Sequence, residues 1–239
     1  MKVSVIVNTY NRPDQCRRLV EQLNRQSGNH TIKVVLNDDG SQKPYANKLK
    51  GVHGKVKVEV FTHVNHGKRR YWELVTKTFK QVKGDGSDYI VYTADDLTIG
   101  PEFISTAIRS FERIPDRGKI CLSYIMLKSS FGKSNWTGHK PKAFVFDGVP
   151  YHWTQWTDMA FICTHRMLAQ LDYRVMPIPL TRWSKDPTLG SGVGKDISQR
   201  LVAKRFNLYH LVKSIASFKN PTDSEMNKES RRLHPAITI

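Results

Sequence analysis

A chain of 239 residues has room for one large α/β domain, or one domain with a helical extension, and for an ample core. Hydrophobic residues at 39% and charged residues at 25% are ordinary for a globular protein, and no apolar run approaches membrane-spanning length, which excludes a transmembrane chain. The sign of the charge is not ordinary: 38 Lys and Arg against 21 Asp and Glu leave +17, an excess that implies a polyanionic partner, either nucleic acid or an anionic membrane surface.

Cys16, Cys121 and Cys163 lie far apart without a C-x-x-C pair, so they read as reduced core residues and not as a disulfide frame or zinc site. Met1 runs straight into a strand pattern, so no signal peptide is expected and the location read from the sequence is cytoplasmic.

Lys2-Val3-Ser4-Val5-Ile6-Val7-Asn8 reads as a strand apolar enough to be buried on both faces. Thr9-Tyr10-Asn11-Arg12 is the turn after it. Pro13 then opens a helix with the periodic set Cys16, Leu19, Val20 and Leu23. Residues 32–36 form a second strand that ends at Asn37-Asp38-Asp39-Gly40-Ser41, and 56–61 alternate like an outer strand. A basic loop with His66, Lys68, Arg69 and Arg70 leads into a helix carrying Tyr71, Leu74, Val75 and Phe79. Residues 89–94 are a buried strand that stops at Asp95 and Asp96, and Pro101 opens the next helical pattern.

This order predicts an α/β domain with a doubly wound, mostly parallel central sheet flanked by helices. Loops after Asn8, Leu36 and Thr93 then meet at the carboxyl edge of the strands, where ligands sit in such sheets. Adjacent Asp95 and Asp96 repel each other and call for a cation or hydrogen-bond donors, and a hard divalent ion bridging phosphates would meet that need. The plainer alternative is that they turn the chain and favour the following helix N-terminus. With no G-x-G-x-x-G and no Walker loop, neither dinucleotide nor P-loop chemistry is indicated.

In the second half, residues 120–126 and 143–146 read as strands separated by a polar loop with Gly132, Trp136, Gly138 and His139. Trp153, Trp156 and Trp183 are candidates for stacking on a sugar or base face, or for core packing. Gly190-Ser191-Gly192-Val193-Gly194-Lys195-Asp196 brings Asp196 into the first turn of a helix, and 206–212 read as a last strand. His63-x-x-His66 lacks Cys partners for zinc, and 190–195 lack the spacing of a phosphate loop.

Residues 3–13 resemble the opening of family-2 glycosyltransferases with the GT-A fold. Asp38-Asp39-Gly40-Ser41 resembles their second-strand motif, and Thr93-Ala94-Asp95-Asp96 resembles their metal-binding Asp-x-Asp, with Thr93 in place of the first carboxylate. The resemblance implies one continuous domain, with a nucleotide-sugar half at 1–115 and an acceptor half at 116–239. It implies a divalent metal, Mn2+ or Mg2+, on Asp95 and Asp96, with His210 available as a further ligand because Phe218 stands where the family has its histidine. It implies a UDP-sugar donor held by Thr9, Tyr10, Asn11, Arg12, Asp38, Asp39, Thr93, Ala94 and Asp95; Lys68, Arg69 and Arg70 either add positive charge at the donor, stay solvated or contact an acceptor polyanion. Residues 153–166 resemble the floor of the family's acceptor site, with Trp153, Trp156, Asp158 and Trp183 toward the acceptor. Asp196 matches the Asp of the family's Glu-Asp pair, Lys195 replacing the Glu, and would be the base of an inverting transfer.

Some enzymes of this kind, from phages, act on hydroxymethylated pyrimidines in DNA. Together with the charge, that makes duplex DNA the expected acceptor, in the cytoplasm of a bacterial host if the protein is viral. A glycan or lipid-linked acceptor at a membrane surface, and a non-catalytic nucleic-acid-binding module, are the alternatives.

Overall fold

Strand β1 (Lys2–Thr9) is buried at every position after Lys2 and lies parallel to both β2 (Thr31–Asp38) and β4 (Tyr89–Ala94). Burial on both faces is what its unbroken apolar run requires. Outside β2 lies β3 (Lys57–Thr62), also parallel and with no buried residue, as its polar alternation predicts for an outer strand. The structure, a computed structural model, describes residues 1–42, 45, 49, 54–125, 142–157, 159–186 and 190–218. The loop carrying Gly132, Trp136, Gly138 and His139, the residue Asp158 and the tail from 219 lie outside that set.

The remaining strands are β5 (Leu97–Ile99), β6 (Lys119–Ser123), β7 (Lys142–Phe146), β8 (Val149–Thr154), β9 (Phe161–Cys163), β10 (Asn207–Leu211) and β11 (Ala216–Phe218). Nine of the eleven form one sheet in the order β3-β2-β1-β4-β9-β6-β10-β8-β7, and β5 pairs with β11 in a separate ribbon. Short β9 runs antiparallel between β4 and β6, which therefore point the same way. β10 is parallel to β6, so β1, β2, β4, β6 and β10 share one carboxyl edge.

At the far end of this sheet β7 and β10 match strands expected at 143–146 and 206–212, while β8 between them is not among the expected strands. β7 and β8 form an antiparallel hairpin joined by Asp147 and Gly148, at φ 49° and 72°. Positive φ at both central residues is the demand of a tight hairpin turn, and Asp-Gly meets it. β5 also intervenes between Asp96 and Pro101, so the next helix starts two residues after that proline.

Helices α1 (Pro13–Asn24) and α3 (Phe103–Glu112) cover one face. There Cys16, Leu19, Val20 and Leu23 meet Val3, Val5 and Val7 of β1. Helices α2 (Tyr71–Gln81), α4 (His165–Gln170) and α6 (Val193–Ala203) cover the other, where Val75, Phe79, Met167, Ile197 and Leu201 meet Ile6, Val35 and Ile90. Each such buried aliphatic or aromatic side chain contributes about 1.5–3 kcal/mol. Short α5 (Thr181–Lys185) lies outside both layers. No described helix is long and apolar enough to cross a membrane.

Candidate active site

At the carboxyl edge, β4 delivers Asp95 into a pocket built by the loop after β1. Thr9 donates its hydroxyl proton to Asp95 Oδ2 at 2.5 Å, and Arg12 Nη1 lies 3.3 Å from Asp95 Oδ1 and 2.7 Å from Asp96 Oδ2. Thr9 has only that one proton to give. The Tyr45 hydroxyl 2.8 Å away must therefore donate to Thr9, and so must the Cys16 thiol at 3.2 Å. Tyr45 in turn accepts the backbone N–H of Arg12 at 2.7 Å. Tyr45 thus locks the loop residue Arg12 to the strand residue Thr9, and nothing in the one-dimensional sequence signals that role.

Burial pushes the Asp95 carboxyl up to about 6, with the Asp96 charge adding to the rise and Thr9 and Arg12 opposing it. Burial alone would lower the Arg12 pKa, but the two carboxylates more than offset that and raise it, so the guanidinium stays charged. Asp96 Oδ1 is buried without a hydrogen-bond partner. Thr93, expected beside the ribose, is itself buried, with its hydroxyl 3.4 Å from the Ala94 carbonyl.

The neighbouring loops are tied together. Asn11, in the left-handed region at φ 53°, donates its N–H to Ser41 Oγ and accepts the Gln42 N–H on Oδ1. Asp38 Oδ1 accepts from the Ser41 N–H at 3.0 Å and its hydroxyl at 2.5 Å. Asp39 Oδ1 accepts from the His66 backbone N–H at 2.8 Å and from Nδ1 at 2.6 Å. The proton therefore sits on Nδ1, leaving Nε2 to accept from Lys77 at 3.1 Å. Gly40 is required here: a Cβ would stand 2.6 Å from the Asn65 nitrogen, and φ is +71°. Asp38 and Asp39 are both fully buried and fasten the neighbouring loops. Tyr10 lies half-buried in the same turn and Ala94 half-buried at the end of β4. Lys68 is buried, Arg70 is held by a fork to Glu73 at 2.5 and 2.7 Å, and Arg69 Nε is buried without a partner.

A second group of expected site residues gathers where α6 meets the segment after β8. Thr157 bonds Ser123 at the end of β6 through their hydroxyls at 2.9 Å, and its N–H donates to Ser198 of α6 at 2.9 Å. The first turn of α6 therefore sits at the same edge as Asp95, two strand positions along it. Gly194 makes this approach feasible, since a Cβ there would lie 2.8 Å from the Thr157 carbonyl oxygen. Trp156 comes within 3.7 Å of the same point and so stands beside the turn that carries Asp196. Asp196 Oδ2 accepts the Met176 N–H at 3.1 Å and lies 3.5 Å from Arg200. It lines a cleft of about 410 Å3 shared with Ile178, Arg182, Lys185 and Lys195.

Two expected residues are placed elsewhere. Trp153 Nε1 donates to Asn207 Oδ1 at 2.9 Å, at the opposite edge of the sheet, because β8 runs antiparallel to β10. His210 lies on the register line Tyr92–Phe161–Ser123–His210, three strands or about 14 Å from β4. Its Nε2 donates to the Trp156 carbonyl at 2.8 Å, so it does not join Asp95 and Asp96. Phe218, by contrast, pairs with Leu97 directly after Asp96, where the resemblance expected a histidine. The side chain of Trp183 is not among those described.

No group of three or more His, Cys, Asp or Glu among the described residues is arranged to hold a metal. The pair Asp95 and Asp96 nevertheless fits a hard divalent ion in part. It gathers carboxylate oxygens around a cation, Arg12, and leaves one buried oxygen of Asp96 without a partner. The other ligands would come from water or phosphate.

The mixed nine-stranded sheet, its helices on both faces and the carboxylates at its edge define a GT-A fold. The S. aureus protein TarS, in a fragment 1–349 complexed with UDP-GlcNAc, superposes with a TM-score of 0.62 at 15% identity, over 95% of this chain and 60% of that one. The mannosyltransferase PcManGT from Pyrobaculum calidifontis, complexed with GDP-Man and Mn2+, gives 0.57 at 13% identity, over 86% and 53%. Protein CgeD of Bacillus subtilis is 26% identical over 119 residues, 48% of this chain and 27% of CgeD. The profile of glycosyl transferase family 2 matches residues 4–170. The chain belongs to that family, and it spans only about a quarter of CgeD and just over half of the two structural relatives.

Proposed function

We propose that the chain transfers a glycosyl group from a UDP-sugar to a hydroxyl of an anionic acceptor, a hydroxymethylated pyrimidine in duplex DNA. The observation that carries the transfer is the placing of two carboxylate centres, Asp95–Asp96 and Asp196, along one edge of one sheet. TarS with UDP-GlcNAc supports the uridine donor, and PcManGT with Mn2+ supports a divalent ion.

In this reading the acceptor oxygen attacks the anomeric carbon, the bond from that carbon to the diphosphate oxygen breaks, and UDP leaves with the electron pair. The acceptor's proton passes to Asp196, whose Oδ2 is held by Met176 and Arg200, leaving Oδ1 to receive it. A single displacement of this kind inverts the anomeric centre. Mn2+ or Mg2+ on Asp95 and Asp96 would supply positive charge against the departing diphosphate. Arg69, with its unpartnered Nε, and buried Lys68 add cations from the loop before α2. Trp156 offers a face beside Asp196, and Arg182, Lys185 and Lys195 make the cleft suited to acceptor phosphates.

The test is mass spectrometry of nucleosides from hydroxymethylated duplex DNA incubated with the protein, Mn2+ and a panel of UDP-sugars. Hexosyl- or pentosyl-pyrimidine is expected, and Asp196→Asn should lose it by roughly 10²- to 10⁴-fold, the usual worth of a general base. If a free or lipid-linked saccharide receives the sugar and DNA does not, the DNA acceptor is wrong and the positive charge belongs to a membrane surface.

A further inference from the structure

Arg12 bridges the two carboxylates of Asp95 and Asp96. Its Nη1 reaches both carboxylates, at 3.3 and 2.7 Å, while its side chain is only 7% exposed. The position is fixed from several directions. The Arg12 N–H is spent on Tyr45, the preceding Asn11 is tied to Ser41 and Gln42, and Pro13 starts α1 immediately afterwards. The guanidinium is therefore not a solvated side chain that fell onto an acidic pair. It is delivered there by the loop.

We propose that Arg12 is the resident counter-ion of the Asp95–Asp96 pair, and that a divalent cation gains the pair only by displacing it. Two carboxylates carry two negative charges, which one guanidinium already half neutralises. A divalent ion added beside it would put three positive charges on two negative ones in a largely buried site, where surplus charge is costly. The diphosphate of a donor removes that surplus, because it brings two or more negative charges and can take the released guanidinium as a forked partner. Metal and nucleotide then bind together, and the free protein binds metal poorly. The inference rests on the donor reading above, since it needs a diphosphate to arrive at this edge.

The experiment measures Mn2+ binding by electron paramagnetic resonance and by calorimetry, with and without UDP, for the wild type, Arg12→Gln and Arg12→Lys. Without UDP the wild type should bind Mn2+ roughly ten- to a hundred-fold more weakly than Arg12→Gln, the worth of the charge-assisted bonds that metal must break. Adding UDP should tighten Mn2+ binding to the wild type by more than it does for Arg12→Gln. Arg12→Lys keeps the charge on a shorter, more flexible side chain that metal can displace more readily, so it should fall between the two, and it carries the test if the Gln variant does not fold. Equal Mn2+ affinity in wild type and variant without UDP would overturn the proposal. Tighter Mn2+ binding by Arg12→Gln together with no UDP binding in any of the three proteins would keep Arg12 as the counter-ion and overturn the donor reading instead.

Discussion

At the scale of single residues, Asp95 sets the character of the edge. Its carboxyl ionises at about 6 in the folded chain against an ordinary 3.8. The folded state thus holds this proton more tightly than the unfolded chain does. Well below pH 3.8 the group is neutral in both states and costs nothing. The penalty grows as pH rises from about 4 to 6 and is complete above it. Asp95→Asn keeps an acceptor for Thr9 and removes the buried charge, so it should raise stability at pH 7.5 by up to about 3 kcal/mol, at 1.36 kcal/mol per pKa unit. Near pH 4 most of the gain should be lost. Urea denaturation at the two pH values checks this, and a difference that does not change with pH would contradict it. Tyr45→Phe should act in the opposite sense, costing about 1–3 kcal/mol at either pH, because it strands the Arg12 N–H in the interior.

At the scale of elements, the approach of α6 to Thr157 decides where Asp196 stands. Gly194→Ala would place a Cβ 2.8 Å from the Thr157 carbonyl oxygen, so the first helical turn must shift. Overpacking of that kind costs about 1–3 kcal/mol. The variant should therefore lose stability in urea and lose transfer, while its affinity for UDP, which the proposal places at β1 and β4, stays at the wild-type value. A variant that loses UDP affinity as strongly as transfer would show that the two centres are not independent. The elements that this geometry needs were visible in the sequence where periodicity and run length are strong. Cys16, Leu19, Val20 and Leu23 announce α1, and the apolar runs before Thr9, Asp38 and Asp95 announce β1, β2 and β4. What stayed hidden depends on contacts distant in sequence. The His66 bond to Asp39 crosses 27 positions, Tyr45 reaches Thr9 across 36, and no periodicity encodes either. The same limit applied to His210, whose distance from Asp95 follows from the insertion of β9 and β6 between its strand and β4. The Asp147-Gly148 hairpin is different, since an Asp-Gly dipeptide after an apolar run is a turn signal carried by the sequence itself.

At the scale of the whole molecule, a net charge of +17 has to be reconciled with a donor edge rich in carboxylates. The cleft at Asp196 gathers Arg182, Lys185 and Lys195, a concentration of positive charge where the proposal expects the acceptor. Duplex DNA should bind with an affinity that falls as salt rises, by about 0.9 in the logarithm per phosphate neutralised. Reversing Arg182 and Lys185 together to Glu should weaken binding to all sequences alike and flatten that slope, because phosphate contacts position a protein without reading bases. Electrophoretic mobility shifts across a salt series would show it, and an unchanged slope would move the DNA contact elsewhere on the surface.

The claim under all of this is that the edge formed by Thr9, Arg12, Asp95 and Asp96 is the donor site. The most direct measurement is calorimetry of UDP in the presence of Mn2+, with the wild type and Asp95→Asn compared at pH 7.5. The account predicts that the wild type binds UDP and that the variant, folded and more stable, does not. Wild-type UDP affinity in Asp95→Asn would contradict it.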